Sequence, residues 1–480
     1  MDERAVQRPD PVLLAAFALL ISFGLVMVYS ASFPVAYTDY GNQTFYLMRQ
    51  LTFAVLGAVG MRLMIGFPYR MLRHFSVPLM IVTLALLLLV LVLPGEMTEA
   101  NGAARWIRLG PIGIQPSEIA KLAAIIYFAD WLSKRGSKIR NLASLANFAI
   151  ALGLIAGLVM LEPDMGTTIV IVMIGAMILF ASGASLLHLT VAAGLAVGAG
   201  WILIQSASYR MARLIAYRDP WQVYDTAGYQ PIHSLYGLAS GGVFGVGLGS
   251  GRQKFHWLPF SHTDAILSVI GEELGLIGTL ALLLAFVLIA FRGYRIAARL
   301  EDPFGALIAV GVTSWIVFQA LLNIAVVSTL VPFTGVTLPF ISYGGSSLTM
   351  TMLAAGLLLN LSRYAIPLEA KERDHADREL FFREWVTGLA YLPLALWRWN
   401  RGARVSRPRS SRGAAARRGS IQPSAGSFAV GQPISGTWRQ RVESSARQRS
   451  RVRASPLRQR GVQSDLRRER WRHGRADRDS

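Results

Sequence analysis

The sequence NIAVVSTLVPFTGVTLPFISYGGSS, from Asn323 to Ser347, joins two long apolar runs and is rich in proline, glycine and hydroxyl residues. Proline fixes φ, glycine permits tight or left-handed backbone, and hydroxyl groups can satisfy backbone polar groups where water is scarce. Within a membrane, irregular backbone is tolerated only where protein buries it or where it lines a wet cavity. The segment therefore predicts a constructed site near the membrane surface.

The composition indicates a polytopic α-helical membrane protein. Of 480 residues, 53% are hydrophobic, and the mean hydropathy is +0.42. The absence of cysteine excludes disulfides, thiolate metal sites and a cysteine nucleophile. The apolar run Val12–Tyr29 is longer than the hydrophobic region of a typical signal peptide, so we expect it to be retained as a span.

Ten apolar segments are each near the ~20 residues that cross a bilayer. They are Pro11–Tyr29, Tyr46–Phe67, Ser76–Leu93, Pro116–Leu132, Leu142–Leu161, Thr167–Ala184, Leu186–Ser206, Ala265–Phe291, Phe304–Leu330 and Ser346–Ser362. The predicted fold class is therefore all-α, with a ten-span membrane domain over residues 11–363. An even number of spans places both termini on the same side.

The basic residues predict which side that is. Loops on one side contain Arg70, Lys134 and Arg292 with basic neighbours, whereas the opposite loop Phe33–Phe45 contains no basic residue. The positive-inside rule makes both termini cytoplasmic, including residues 1–10. Further basic residues occur on the predicted outer side, several of them in one long loop where the rule weakens, and they are candidates for a cationic functional surface.

Two segments follow the membrane domain. Residues 364–399 contain apolar and tryptophan residues with charges and Pro393, which predicts an interfacial segment and not an eleventh span. Residues 398–480 hold 22 Arg, no Lys and five acidic residues, a balance of +17 within a whole-chain charge of +20. We expect residues 400–480 to be a disordered cytoplasmic tail that binds anionic lipids. An acidic protein partner stays open, and no nucleic acid is expected.

The long outer loop 207–263, between spans seven and eight, is where we expect the functional chemistry to lie. It is rich in aromatic residues, so we expect it to fold onto the bundle through short helices, with its cluster Gly237–Gly251 allowing close backbone packing. The loop ends in His262-Thr263-Asp264 before a helix. Asp264 is either a helix cap or a general base facing a lipid-borne substrate.

Other charged residues also have two interpretations. Glu118 and Lys121 can pair at i, i+3 or line a polar cavity, and Asp164 can cap a helix or bind a ligand. Glu272 and Glu273 need partners at membrane depth. Phosphate binding or lipid-headgroup anchoring is expected of the basic residues Arg210, Arg213 and Lys254.

The chain resembles the SEDS family (FtsW/RodA/SpoVE) of bacterial cell-wall polymerases over residues 11–363. The motifs that carry the resemblance are Asn101–Ile107, Gln115–Glu118 with Lys121, Pro163–Thr167, Gln253-Lys254, His262–Asp264, Gly271–Gly275 and Pro332–Ser347. Several separate motifs in the same order make a chance match very rare.

The resemblance implies an enzyme of the bacterial inner membrane that polymerises lipid II into glycan strands, with undecaprenyl pyrophosphate leaving. It also implies a class B penicillin-binding protein as partner, together with division or elongation proteins. Asp264 falls on the family's essential acid. From the residues and the resemblance together, we expect the substrate-binding residues to be Arg105, Trp106, Glu118, Lys121, Arg210, Arg213, Gln253, Lys254, His262, Ser342, Tyr343 and Ser346. No cofactor is certain, and a divalent cation (Mg²⁺ or Mn²⁺) stays open.

This sequence departs from the family's pattern at two places. Phe260 follows Pro259 where an acid is common, and Thr334 stands near the place of a lysine found in division-type members. Thr337–Ser342 resembles the division and sporulation branch more than the elongation branch. Two other functions remain open: a lipid II flippase, which would depend on the intramembrane charges, and a non-catalytic activator of the transpeptidase.

Overall fold

Twelve α-helices form most of the chain in a computed structural model, which describes residues 7–94, 98–100, 103–109, 112–136 and 141–366. The helices are α1 Pro11–Tyr40, α2 Phe45–Gly66, α3 Leu72–Val92, α4 Pro116–Ser133, α5 Leu142–Leu161, α6 Met165–Ala181, α7 Leu186–Gln205, α8 Ser208–Arg218, α9 Tyr229–Ser240, α10 Ile266–Arg299, α11 Pro303–Val327 and α12 Gly345–Ser362. Short 3₁₀ turns cover Tyr69–Met71 and Pro220–Val223. Two small antiparallel pairs join β1 Glu99–Ala100 to β2 Ala103–Ala104, and β3 Ile107–Leu109 to β4 Ile112–Ile114.

Each of the ten predicted spans coincides with a helix, which confirms the all-α polytopic class. Eight of the described helices are long and apolar enough to cross a membrane. The other two are α4, which contains Glu118, Lys121 and Asp130, and α6, which has 17 residues. The chain enters and leaves this bundle at one end, because the Gln7 N–H donates to Arg363 O at 3.1 Å. That proximity agrees with an even number of spans, and the side on which the termini lie stays a prediction.

The core is built around α11 and α12, which are the most buried of the eight helices that are long and apolar enough to cross a membrane. Trp315, on α11, is fully buried, and α11 packs against α4, α6 and α10, while α12 packs against α2. At the opposite extreme, α7 is the most exposed span and contacts mainly α6 and α8. Lipid-facing surface thus concentrates at the periphery, and the polar residues of α4 and α11 lie inside the protein.

Helix α1 is longer than predicted, and the predicted loop Phe33–Phe45 is wrong over most of its length. The helix continues through Pro34 to Tyr40 and ends at Gly41, whose φ of 66° is left-handed. The Gly41 N–H donates to Tyr37 O at 2.9 Å, which closes the helix. Hydropathy marks where a helix leaves the apolar core and not where its hydrogen bonding stops. Helix α10 likewise extends to Arg299, beyond the predicted end at Phe291.

The glycine-rich end of the outer loop packs against a break in α10. Gly275 interrupts α10 with φ 65° and ψ −161°, so the element is two helical segments in series. A Cβ on Gly241 would lie 1.9 Å from Gly271 O, and a Cβ on Gly245 would lie 2.2 Å from Glu273 O. These approaches confirm the prediction of close backbone packing. The short helices α8 and α9 likewise confirm that the loop is structured.

Two glycines of this loop give a matched test of that packing. Gly245 and Gly249 have φ of 83° and 82°, but a Cβ meets backbone only at Gly245 and open space at Gly249. Gly249→Ala should lower stability by about 1–2 kcal/mol, the strain of a left-handed alanine. Gly245→Ala should lower it by a further ~1–3 kcal/mol because backbone must shift. Thermal unfolding of the two purified variants measures the difference, and equal melting temperatures would contradict the packing.

Predictions for several segments fall outside the described residues. These are the first six residues, the interfacial segment and the Arg-rich tail beyond residue 366. Asn101 and Gly102, from the motif Asn101–Ile107, also lie outside the described residues.

Candidate active site

A large cavity of about 1450 Å³ opens at the end of the bundle where α1 ends and α2 begins. Its polar and charged lining residues are Asp39, Tyr40, Tyr46, Arg49, Arg105, Trp106, Arg108, Gln115, Glu118, Lys121, Asp164, Thr167, Tyr209, Arg213, Thr226, Gln230, His256, Ser261, His262, Thr263, Asp264, Gln319, Thr334, Thr337, Tyr343 and Ser347. They come from α1, α2, the β3–β4 region, α4, α6, the outer loop, α11, the segment between α11 and α12, and the start of α12. A concave site of this size with convergent polar groups is the expected form of a substrate site.

The segment between α11 and α12 forms one wall of this cavity, as its composition predicts. Asn323 is fully buried, and its Nδ2 donates to Asp264 O at 2.7 Å and to Val336 O at 2.6 Å. Gly335 has φ 74°, and a Cβ there would lie 3.6 Å from Asp264 Oδ2. The irregular backbone is therefore held by side chains of α11, and it lies directly against the carboxylate of Asp264.

Asp264 points into the cavity and does not cap α10. The residue before the helix is Ala265, and no side chain caps the first turn. Asp264 Oδ1 accepts a hydrogen bond from Thr263 Oγ1 at 3.1 Å, and Oδ2 accepts one from Gln230 Nε2 at 3.5 Å. Burial raises the pKa of Asp264 to about 6, although these hydrogen bonds and Arg213 oppose the shift. A carboxylate with this pKa is ionised at neutral pH and suits a general base.

His262 lies beside Asp264 in an aromatic pocket. Its ring centroid is 4.5 Å from that of Tyr46 and 5.6 Å from that of Tyr343. The Tyr343 N–H donates to His262 O at 2.9 Å, which ties the two loops together. Burial lowers the pKa of His262 to about 4, so the imidazole is neutral. Its buried Nδ1 has no hydrogen-bond partner among the described residues.

Two arginines form the cationic side of the cavity. Arg213 Nη1 donates to Phe333 O at 3.1 Å, and Arg105 Nε donates to Glu162 O at 3.0 Å, with a second Arg105 bond to Pro163 O. Burial, and then the charge of Arg105, lower the pKa of Arg213. Within the described ranges, neither guanidinium is ion-paired with a carboxylate. Two neighbouring cations held by neutral carbonyls form a site suited to an anion.

The turn between α5 and α6 supports this cationic side. Asp164 caps α6: its Oδ1 accepts from the Thr167 N–H at 3.0 Å, and its Oδ2 accepts from Gln115 Nε2 at 3.2 Å. Because Asp164 also lines the cavity, both of its predicted roles remain compatible. Glu162 is fully buried, and the structure shows no partner for its carboxyl oxygens among the residues that it describes. Burial and Asp164 raise the pKa of Glu162 to about 9, so it is neutral at pH 7.

Glu118 and Lys121 lie at the base of the cavity as an ion pair of 2.8 Å. Lys121 Nζ also donates to Gln319 Oε1 at 2.9 Å, and Gln319 Nε2 donates to Thr337 O at 3.0 Å. The predicted pairing is confirmed, and both residues also line the cavity. The pair therefore links α4 through α11 to the irregular segment.

Several predicted substrate-binding residues lie away from the cavity. Lys254 is fully buried and pairs with Glu273 at 2.6 Å, so an anionic ligand cannot reach it without breaking that pair. Gln253 Oε1 is bound to His233 Nδ1 at 2.9 Å, and Arg210 donates to Leu203 O on the exposed surface. The hydroxyls of Ser342 and Ser346 are hydrogen-bonded to backbone groups: Ser342 Oγ accepts from the Leu338 N–H, and Ser346 Oγ donates to Gly113 O.

The remaining predicted residues line the cavity together: Arg105, Trp106, Glu118, Lys121, Arg213, His262, Asp264 and Tyr343. The cavity is also lined by Arg108, one of the outer basic residues expected to form a cationic surface, and by four residues that the sequence reasoning missed: Asp39, Tyr46, Arg49 and His256. Asp39 was hidden because α1 was predicted to end at Tyr29, whereas the helix continues to Tyr40. Arg49 is one turn along α2 from Tyr46, a spacing that could have suggested a shared polar face.

Among the described residues, no three His, Asp or Glu side chains are grouped as a metal site requires. These residues do not fit a metal ion held by protein ligands alone.

The family model described as "Cell cycle protein" (FtsW/RodA/SpoVE) matches residues 11–366. The chain is 42% identical over 361 residues to "Stage V sporulation protein E" of Bacillus subtilis, covering 74% of this chain and 98% of that protein. It is 41% identical over 354 residues to "Probable peptidoglycan glycosyltransferase FtsW" of Trichlorobacter lovleyi, covering 74% and 93%.

Two solved structures share the fold. One is a chain of a peptidoglycan synthase complex that coordinates polymerization and crosslinking, with a TM-score of 0.62 and 28% identity over 74% of this chain and 98% of that one. The other is the rod shape determining protein RodA of Thermus thermophilus, with a TM-score of 0.56 and 28% identity over 76% and 100%.

Proposed function

The chain belongs to the FtsW/RodA/SpoVE family of multi-pass bacterial inner-membrane proteins, and we propose that it is a peptidoglycan glycosyltransferase that polymerises lipid II on the outer face of the cytoplasmic membrane. Curated relatives that are about 40% identical to this chain, and that match it over most of their own length, are named probable peptidoglycan glycosyltransferases. The observation that carries the proposal is the placement of Asp264 in the large polar cavity beside two unpaired arginines.

Asp264 is the proposed general base. Its carboxylate takes the proton of the sugar 4-hydroxyl of the acceptor, and the freed oxygen attacks the anomeric carbon of the donor. The new carbon–oxygen bond forms as the bond to the pyrophosphate breaks, and undecaprenyl pyrophosphate leaves with the electron pair. A single displacement of this kind converts an α linkage to a β linkage. Hydrogen bonds from Thr263 and Gln230 orient the carboxylate for this step.

Arg105 and Arg213 are the proposed pyrophosphate ligands. Both line the cavity, both lack an ion-pair partner in the described part of the chain, and Arg213 is close enough to Asp264 to affect its pKa. Guanidinium groups bind phosphate in a bidentate manner and would offset the charge that develops on the leaving group. Thr334, whose buried hydroxyl has no hydrogen-bond partner among the described residues, also lines the cavity.

The outer loop offers a matched pair for testing the anion site. Arg213→Gln should lower kcat/KM for lipid II about 10- to 100-fold, since a hydrogen bond to a charged group contributes ~1.5–3 kcal/mol. Arg210→Gln, on the same helix but outside the cavity, should leave kcat/KM near wild type. Initial polymerisation rates over a range of lipid II concentrations measure both. Equal losses in the two variants would assign the basic residues to headgroup anchoring.

The pKa of Asp264 predicts how activity depends on pH. The base is active when ionised, so kcat/KM should be level above the pKa of about 6 and fall on acidification. Well below that value the rate should drop about tenfold for each pH unit, as the ionised fraction does. His262, with its pKa near 4, should not titrate above pH 5. A profile that stays level down to pH 4 would contradict the assignment.

The direct test of the function is polymerisation by the purified protein. Lipid II is incubated with the protein, with and without a class B penicillin-binding protein, and the products are separated by gel electrophoresis. Ladders of glycan strands support the polymerase. If no ladders form even with the partner, the flippase and activator readings replace it.

One observation weighs against the flippase. Such a transporter needs charges along a headgroup path, but Glu272 accepts the Arg252 and Gln253 N–H groups, and Glu273 is paired with Lys254. Both carboxylates are occupied by the outer loop and do not line the cavity. The proposed partner is a class B transpeptidase, supported by the similarity to a synthase-complex chain. The FtsW and SpoVE relatives favour a division or sporulation role over elongation.

A further inference from the structure

The glycine-rich segment Gly241–Gly251 exposes an apolar tip. Phe244 is 82% exposed, and Val243, Val246 and Leu248 are each about half exposed. None of these side chains lines the cavity. Bulky apolar side chains grouped on one tip call for a hydrophobic partner.

The backbone of this segment is satisfied by the break in α10. The Val246 N–H donates to Glu272 O and the Gly247 N–H to Glu273 O, both at 3.0 Å. In return, Leu276 N–H donates to Gly242 O at 2.9 Å, and Ile277 N–H donates to Val243 O at 3.2 Å. The Gly249 N–H is bound by the Glu273 carboxylate at 2.9 Å. Such mutual satisfaction is what irregular backbone needs where lipid replaces water.

The position of the break along α10 gives the depth of the tip. Gly275 and Arg292 are 17 residues apart on α10, which corresponds to about 26 Å at ~1.5 Å per residue. Arg292 is the first of the basic residues at the predicted cytoplasmic end. With Arg292 at the inner edge of a hydrocarbon core about 30 Å thick, Gly275 and the tip that is hydrogen-bonded to the residues on either side of it would lie near the outer edge. Leu276 and Ile277, next to the break, are exposed apolar residues that continue the same surface.

We propose that residues 243–248 insert into the outer leaflet and that lipid acyl chains cover Val243, Phe244, Val246 and Leu248. The inserted tip is a depth anchor for the outer loop. The chain continues from it through Arg252 and Gln253, whose N–H groups bind the Glu272 carboxylate, to the cavity residues that end in Asp264. The anchor would thus hold the carboxylate of Asp264 at a constant height above the acyl chains, which is the height at which a lipid-linked substrate presents its headgroup.

Spin labelling tests the insertion directly, because the chain contains no cysteine. Phe244→Cys and, as a second site, Val246→Cys are labelled with a nitroxide and reconstituted into phosphatidylcholine–phosphatidylglycerol vesicles. Collision rates are measured with oxygen, which concentrates in hydrocarbon, and with a nickel chelate, which stays in water. Leu284→Cys, on the exposed face of α10, is the lipid control, and Asp225→Cys, exposed in the outer loop, is the water control.

The oxygen-to-nickel ratio at positions 244 and 246 should resemble that at 284 and exceed that at 225 several-fold. Ratios equal to that of the water control would overturn the insertion. Labels shielded from both reagents would also overturn it, and would assign the tip to a protein partner or a second copy. The labelling result does not depend on catalysis, so it tests the insertion independently of the proposed enzymatic activity.

Discussion

Asp264→Asn is expected to lower the rate of glycan polymerisation by about 10²- to 10⁴-fold, the usual contribution of a general base. Asparagine has nearly the shape of aspartate and can still accept from Thr263 or Gln230, so the loop should keep its conformation. It cannot take the proton of the acceptor hydroxyl. The measurement is the initial rate of lipid II consumption per folded molecule, with thermal unfolding as the check on folding.

Asp219→Asn is the matched control for this prediction. Asp219 belongs to the same outer loop, but its carboxylate accepts from the Trp221 N–H and from Gln222 and does not line the cavity. This variant should polymerise at nearly the wild-type rate. The residual activity of Asp264→Asn should also no longer decrease on acidification near pH 6. A well-folded Asp264→Asn protein with wild-type rate and pH profile would remove Asp264 from the chemistry.

The spans and the position of a carboxylate at the end of the outer loop could be predicted because their signals are local, whereas the choice of general base over helix cap for Asp264 came from the family resemblance. A ~20-residue apolar run is visible in the sequence, and so is an acid at the end of a long aromatic loop. The irregular segment Asn323–Ser347 was also informative, since proline, glycine and hydroxyl residues describe the backbone that they permit. These features depend on neighbours in the chain, and the structure places them as expected.

The rest of the site depends on contacts distant in sequence. Lys254 looked like a phosphate ligand because it is basic and lies in the outer loop, but its partner, Glu273, stands in α10. The raised pKa of Glu162 arises from burial, which no local pattern of Glu-Pro-Asp reveals. Asp39 lines the cavity as part of α1, which continues beyond its apolar run to Tyr40. In each case tertiary packing, and not residue type, decides the role.

Lys254→Met is expected to lower the free energy of unfolding by about 3–5 kcal/mol, because it leaves a buried carboxylate without its cation. Lys254 and Glu273 are both 0% exposed and lie 2.6 Å apart. Lys254 Nζ also donates to Gly249 O and Ser30 Oγ, so the substitution loosens the outer loop from α1 and α10 together. The melting temperature should fall well below that of the wild type.

A double-mutant cycle separates this structural role from phosphate binding. Lys254→Met with Glu273→Leu removes both charges, and a buried pair replaced by apolar groups is often close to neutral in stability. The double variant should therefore recover most of the melting temperature. Lys134→Met, which breaks a 2.7 Å pair whose lysine is 62% exposed, should lower stability by less than about 1 kcal/mol. If Lys254 instead bound pyrophosphate, Lys254→Met would raise KM for lipid II without lowering the melting temperature, and the second substitution would rescue nothing.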